Sequence, residues 1–86
     1  MAWTIKYTAN VLKELKKLDK PIAKKIIEYM EQIANINPRN NGKALKGNLK
    51  DFWRYRVGDY RIMCNLEDEI LEVLVLKVSH RKEVYK

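Results

Sequence analysis

The dipeptide Gly58-Asp59 lies between two alternating runs, Phe52 to Val57 and Tyr60 to Leu66, and no other feature constrains the fold as tightly. Two residues of this kind between β-patterned segments are a strong hairpin signal. The turn pairs Val57 with Tyr60, and the next pair outward is then Arg56 with Arg61. Like charges directly across a ladder destabilise it, by about 0.2–1 kcal/mol. Arg54 falls on the same face, because side chains recur on one face of a strand every second residue. Folding gains nothing from this cluster. A bound anion would relieve it, and phosphate is the anion expected.

The remaining segments can be placed around this hairpin. Trp3 to Tyr7 alternates as a short first strand. Thr8 suits an N-cap, followed by a helix with Val11, Leu12, Leu15 and Leu18 on one stripe and lysines opposite. Pro21 opens a second helix, whose stripe is Ile22, Ile26, Met30 and Ile33 with Tyr29, ending before Pro38. A basic, glycine-bearing connection runs from Asn40 to Asp51, with Leu45 and Leu49 as pegs to the core. A third strand, Ile70 to Ser79, follows the hairpin and reads as an interior strand buried on both faces. The order is βααβββ, an α+β fold: a mostly antiparallel four-stranded sheet, order 1-4-3-2, with a helical hairpin on one face. Counting reversals makes the first strand antiparallel to the last. Trp53, Tyr55, Val57, Tyr60, Ile62 and Cys64 then face the helices, and Arg54, Arg56, Arg61 and Met63 face outward. If Val73 and Val75 share a face with Lys77, Ser79 and Arg81, a basic column also runs toward the carboxyl end.

Residues 1–86 are expected to form one small domain. The single cysteine, Cys64, excludes an internal disulfide and a cysteine-based metal site, and its apolar register suggests a buried, inert thiol. No run approaches the roughly 20 apolar residues of a membrane span, and no cleavage pattern marks a leader, so a cytoplasmic location is expected. Eighteen Lys and Arg against eleven Asp and Glu give a net charge of +7, which points to a polyanionic or acidic partner.

Several arginines with a histidine and a tyrosine, and no carboxylate pair or metal-ligand cluster, suit one reaction. A ribose 2′-hydroxyl attacks its adjacent phosphate, giving a cyclic phosphate and a free 5′-hydroxyl. Guanidinium groups stabilise the extra negative charge of the pentavalent intermediate. Arginine does not readily act as a base, so proton transfer is expected from His80 or Tyr85, with the arginines as electrostatic clamps. Plainer readings stand beside these. Arg54 and Arg56 can be solvated strand residues, Arg61 and Arg81 can pair with nearby carboxylates, and His80 can pack at a strand end. Trp3, Trp53, Tyr55 and Tyr29 read as core aromatics.

The string Phe52-Trp53-Arg54-Tyr55-Arg56-Val57-Gly58-Asp59-Tyr60-Arg61-Ile62, followed by Val78-Ser79-His80-Arg81-Lys82-Glu83-Val84-Tyr85, resembles the RelE branch of the RelE/ParE toxin superfamily. Lys43-Ala44-Leu45-Lys46-Gly47 is similar to that family's lysine-leucine-x-glycine element. The resemblance spans essentially the whole chain. It implies a microbial ribonuclease-like fold and the toxin of a type II toxin–antitoxin pair, silenced by a cognate antitoxin. It also implies metal-independent cleavage of mRNA in the ribosomal A site, with no cofactor. Arg61, Arg81 and Tyr85 match the family's catalytic arginines and tyrosine. Arg54 and Arg56 match positions that are lysines in the best-studied members, so a lysine base does not carry over to Arg56. The expected catalytic set is Arg56, Arg61, His80, Arg81 and Tyr85. Arg54, Lys77, Lys43 and Lys46 are the expected contacts to the RNA backbone. Two other classes remain: a ParE-like DNA gyrase inhibitor without nuclease activity, and a nucleic-acid-binding or regulatory homologue without chemistry.

Overall fold

The computed structural model describes residues 2–44 and 52–80. Strand β1 (Thr4–Tyr7) leads into helix α1 (Ala9–Lys17), and Thr8 caps that helix by accepting the Val11 N–H through its hydroxyl at 3.2 Å. Lys16 and Lys17 occupy its last turn, where positive charge meets the negative end of the helix dipole. Val11 and Leu15 are buried, but Leu12, expected on the same stripe, is 48% exposed. Helix α2 (Lys20–Ile36) has Pro21 in its first turn and buries Ile26, Met30, Ile33 and Ala34. It stops at Asn37, whose extended backbone leads into a short 3-10 turn, Pro38–Asn40.

After a two-residue strand β2 (Lys43–Ala44) come β3 (Phe52–Val57), β4 (Tyr60–Glu67) and β5 (Glu72–His80). They form one five-stranded sheet in the order β1-β5-β4-β3-β2. The expected order of four strands is preserved within it, and β2 is an addition at the edge. That addition overturns the parity argument. One extra reversal makes β1 parallel to β5, pairing Thr4 with Glu72 and Tyr7 with Val75, while the other pairings are antiparallel. β1 ends at Tyr7, so β5 runs on without that partner. There the Glu14 carboxylate of α1 accepts the Val78 N–H at 3.2 Å, satisfying an edge amide.

The hairpin has the expected register, with Val57 opposite Tyr60, Arg56 opposite Arg61 and Tyr55 opposite Ile62. Gly58 takes φ +58, and Asp59 has no positive φ, the pattern that a II′ turn requires. Against β5 the register slips between Met63 and Cys64: Met63 opposes Lys77 while Cys64 opposes Val75, leaving Leu76 as the extra residue of a bulge. The bulge corrects the expected basic column. Val73 and Val75 face the helices, and Lys77 and Ser79 face the other way. It also corrects the reading of β5 as buried on both faces, since Leu74 and Leu76 are only partly buried and Lys77 is exposed.

The core gathers Val11, Leu15, Ile26, Met30 and Ile33 of the helices against Tyr55, Ile62, Cys64, Leu66, Val73 and Val75 of the sheet. Burial pushes the Cys64 thiol well up, consistent with an inert sulfur. Tyr55 is fully buried, donates its hydroxyl to the Pro38 carbonyl at 2.6 Å and meets Tyr29 edge-on with ring centres 6.0 Å apart. Replacing Tyr55 by Phe leaves that carbonyl buried without its donor. The variant is expected to lose about 1–3 kcal/mol, read as a lower urea midpoint at unchanged m-value.

Candidate functional site

Strand register turns the open face of the sheet into two rows of cations. Lys43, Arg54, Met63 and Lys77 lie side by side across β2, β3, β4 and β5, and Arg56, Arg61 and Ser79 form the adjacent row. Neighbouring strands are about 4.8 Å apart and like-facing residues on one strand about 6.8 Å apart, so the two rows border each other. Arg56, Lys43 and Lys77 are exposed, Arg54 and Arg61 are half-buried, and Ser79 is buried. Among the described residues, neither Arg54 nor Arg56 has a carboxylate partner. This face can receive a phosphodiester from several sides at once, and guanidinium forks favour that geometry.

His80 does not join them. It stands opposite Tyr60, and the two rings meet at 86° with centres 5.1 Å apart. Tyr60 packs against the helix-side core, so His80 projects to the opposite face from Arg56 and Arg61. The bulge at Leu76 sets this parity: it turns Ser79 toward the arginines, and His80, one residue on, turns away. The expectation that His80 moves the proton at the arginine site is corrected accordingly. Arg81, Tyr85 and Lys46 lie outside the described residues. Among those described, no group of three or more His, Cys, Asp or Glu side chains is arranged to hold a metal ion.

A second structure, absent from the sequence reading, holds the edge of this face in place. The Arg39 guanidinium grips Asp68 with two hydrogen bonds, at 3.0 and 2.6 Å, and lies 5.2 Å from the Trp53 ring centre. The Trp53 indole N–H donates to the Asn41 carbonyl. Together with the Tyr55–Pro38 bond, these contacts lay the chain from Pro38 to Ala44 along β3, placing Lys43 opposite Arg54. Gly42 makes the approach possible. Its φ is +71, and a Cβ at that position would stand 2.4 Å from the Arg54 carbonyl oxygen and 2.7 Å from Tyr55 Cδ1. In the sequence the Asn40-Asn41-Gly42 run reads only as a loop, because a two-residue strand has too few positions to show a period. Beside Gly42 a notch of about 290 Å³ opens, lined by Tyr29, Gly42, Lys43, Arg54 and Arg56.

Comparison with known proteins gives this architecture its class. Residues 5–85 match the family described as the ParE toxin of type II toxin–antitoxin system, parDE. The chain belongs to this family and is a type II toxin of the RelE/ParE kind. It is 29% identical over 86 residues to the toxin RelG of Mycobacterium tuberculosis, covering 100% of this chain and 99% of that protein. The toxin–antitoxin complex RelBE2 from the same organism superposes with a TM-score of 0.83 at 28% identity, covering 94% of this chain and 93% of that one. The archaeal RelE–RelB complex of Pyrococcus horikoshii gives a TM-score of 0.78 at 25% identity, covering 94% and 97%.

Two substitutions test the edge. Gly42→Ala forces a left-handed backbone and a collision with Arg54 O, so stability should fall by more than about 1 kcal/mol, measured by urea unfolding. The hydrogen bond from Arg39 holds the Asp68 carboxyl below its usual range. A depressed folded value means that the stabilisation is present above the unfolded value near 3.9 and is lost as pH falls through the folded one. Asp68 is exposed, so the effect is small. Asp68→Asn should therefore be less stable than the parent at pH 7 by at most about 1 kcal/mol, the gap closing below about pH 4 and in high salt.

Proposed function

We propose that this toxin is a ribosome-dependent endoribonuclease that cuts mRNA in the A site by attack of a 2′-hydroxyl on the adjacent phosphate. The observation that supports this reading is the pair of cation rows, with Arg56 directly opposite Arg61 on the face free of helices. Arginines stay protonated throughout and act as fixed charge. Arg61 and Arg56 hold the non-bridging phosphate oxygens as negative charge grows there, and Arg81 adds a third guanidinium. Arg54, Lys43, Lys46 and Lys77 hold flanking phosphates. The 2′-hydroxyl proton and the proton taken up by the leaving 5′-oxygen need another carrier. Tyr85 fills that role: its phenol gives a proton to the leaving 5′-oxygen and takes up the one released by the 2′-hydroxyl. The face is too open to enclose RNA, so the ribosome supplies the substrate's alignment in the cytoplasm. A cognate antitoxin is the second partner, as in the toxin–antitoxin complexes of its relatives.

One observation favours a second reading. The matching family is described by its ParE toxin, which makes a DNA gyrase inhibitor of the same fold, without nuclease activity, the alternative. Purified toxin added to programmed ribosomes separates the two. On the ribonuclease reading, A-site cleavage yields a cyclic phosphate and a 5′-hydroxyl end, free RNA is cut far less, and gyrase supercoiling is untouched. Arg61→Ala should slow cleavage by about 10²–10³-fold. Inhibited supercoiling with intact mRNA would reverse the assignment.

A further inference from the structure

The notch at the sheet edge shares its cations with the two rows, but neither the cavity itself nor Tyr29 has a role in the cleavage described above. Among the described residues its walls carry three cations, Lys43, Arg54 and Arg56, with one phenol, Tyr29, and no carboxylate. Like charges crowded at an edge oppose folding and favour an anion. Its volume of about 290 Å³ is at the lower end for small-molecule sites, which is the scale of one nucleotide. Tyr29 is half-buried and steadied edge-on by the buried Tyr55 ring, so it presents a fixed aromatic surface. Burial raises the pKa of its hydroxyl, which stays a neutral donor. Arg54 and Arg56 are shared with the cation rows, so the notch adjoins the Arg56–Arg61 pair.

We infer that this notch is a nucleotide subsite: it takes the single-stranded RNA residue next to the cleaved linkage, its phosphate on Lys43 and Arg54 and its base against Tyr29. The inference rests on the ribonuclease reading and adds to it a contact that the resemblance does not supply. An aromatic ring accepts any base by stacking, so the subsite contributes grip and direction more than sequence choice. An acidic protein segment would satisfy the cations equally well but has no use for the ring.

NMR titration with uncleavable 2′-O-methyl RNA tests this, comparing a dinucleotide with a tetranucleotide. The readout is the ratio of the two affinities, and each variant's amide spectrum verifies its fold. In the parent protein the tetranucleotide should bind about tenfold tighter. Lys43→Ala, at an exposed position, and Tyr29→Leu should each cut the ratio to about threefold or less, whereas Tyr29→Phe keeps most of it. Arg61→Ala should weaken both oligonucleotides and preserve the ratio. Should Tyr29→Leu fail to fold, Lys43→Ala and Tyr29→Phe still decide. A ratio unmoved by Lys43→Ala, with dinucleotide binding still dependent on Arg61, overturns the subsite and leaves the ribonuclease reading standing. Absence of binding by either oligonucleotide overturns the subsite, while the ribonuclease reading stands or falls on cleavage of mRNA in programmed ribosomes. Hexaglutamate binding as tightly as the tetranucleotide, with the same dependence on Lys43, assigns the notch to an acidic protein segment and overturns the nucleotide.

Discussion

One face of the sheet is wholly committed to the two helices, and this burial dictates where every other side chain goes. Tyr55, Ile62, Cys64, Val73 and Val75 fill the helix side. Strict alternation then sends Arg54, Arg56 and Arg61 to the other side, whatever their mutual repulsion costs. Burying a side chain such as Ile or Val contributes about 1.5–3 kcal/mol, against roughly 0.2–1 kcal/mol for an unfavourable cross-strand pair. The apolar face wins that contest easily. A small fold can therefore carry a face of unfavourable charge, provided the opposite face is well packed.

Much of this was legible in the sequence, for a local reason. Gly58-Asp59 fixes the hairpin register by turn geometry alone, so the Arg56–Arg61 pairing and the division of faces in β3 and β4 follow without tertiary information. What failed to show depends on contacts remote in sequence. The bulge at Leu76 arises where β5 meets β4, and nothing in an apolar run announces an extra residue. That one residue moved Lys77 and Ser79 to the arginine face and His80 away from it. The edge strand β2 was equally silent. Its position depends on Arg39, Trp53 and Asp68, which are scattered along the chain and meet only in the folded protein.

The site and its support are built by different means. The cations of β3, β4 and β5 are placed by the hydrogen-bond ladder, which leaves little freedom of register. Lys43 is placed by side chains: a bidentate arginine, an indole and a buried phenol hold a glycine against a carbonyl. Those contacts are partly solvent-exposed, so this corner of the face answers to salt and acidity, while the central arginines sit on the rigid part of the sheet.

The pairing of β1 with β5 joins the beginning of the sheet to its last strand. β5 also lies between β1 and β4, so the sheet is split in two until it is inserted. The hairpin of β3 and β4 can form from neighbouring residues alone, whereas the complete sheet needs β5 brought beside β1. Lys77 and Ser79 join the basic surface only when that final insertion occurs. Among the described strands this pairing spans the widest sequence separation, so the sheet and its basic surface are completed by one and the same long-range contact.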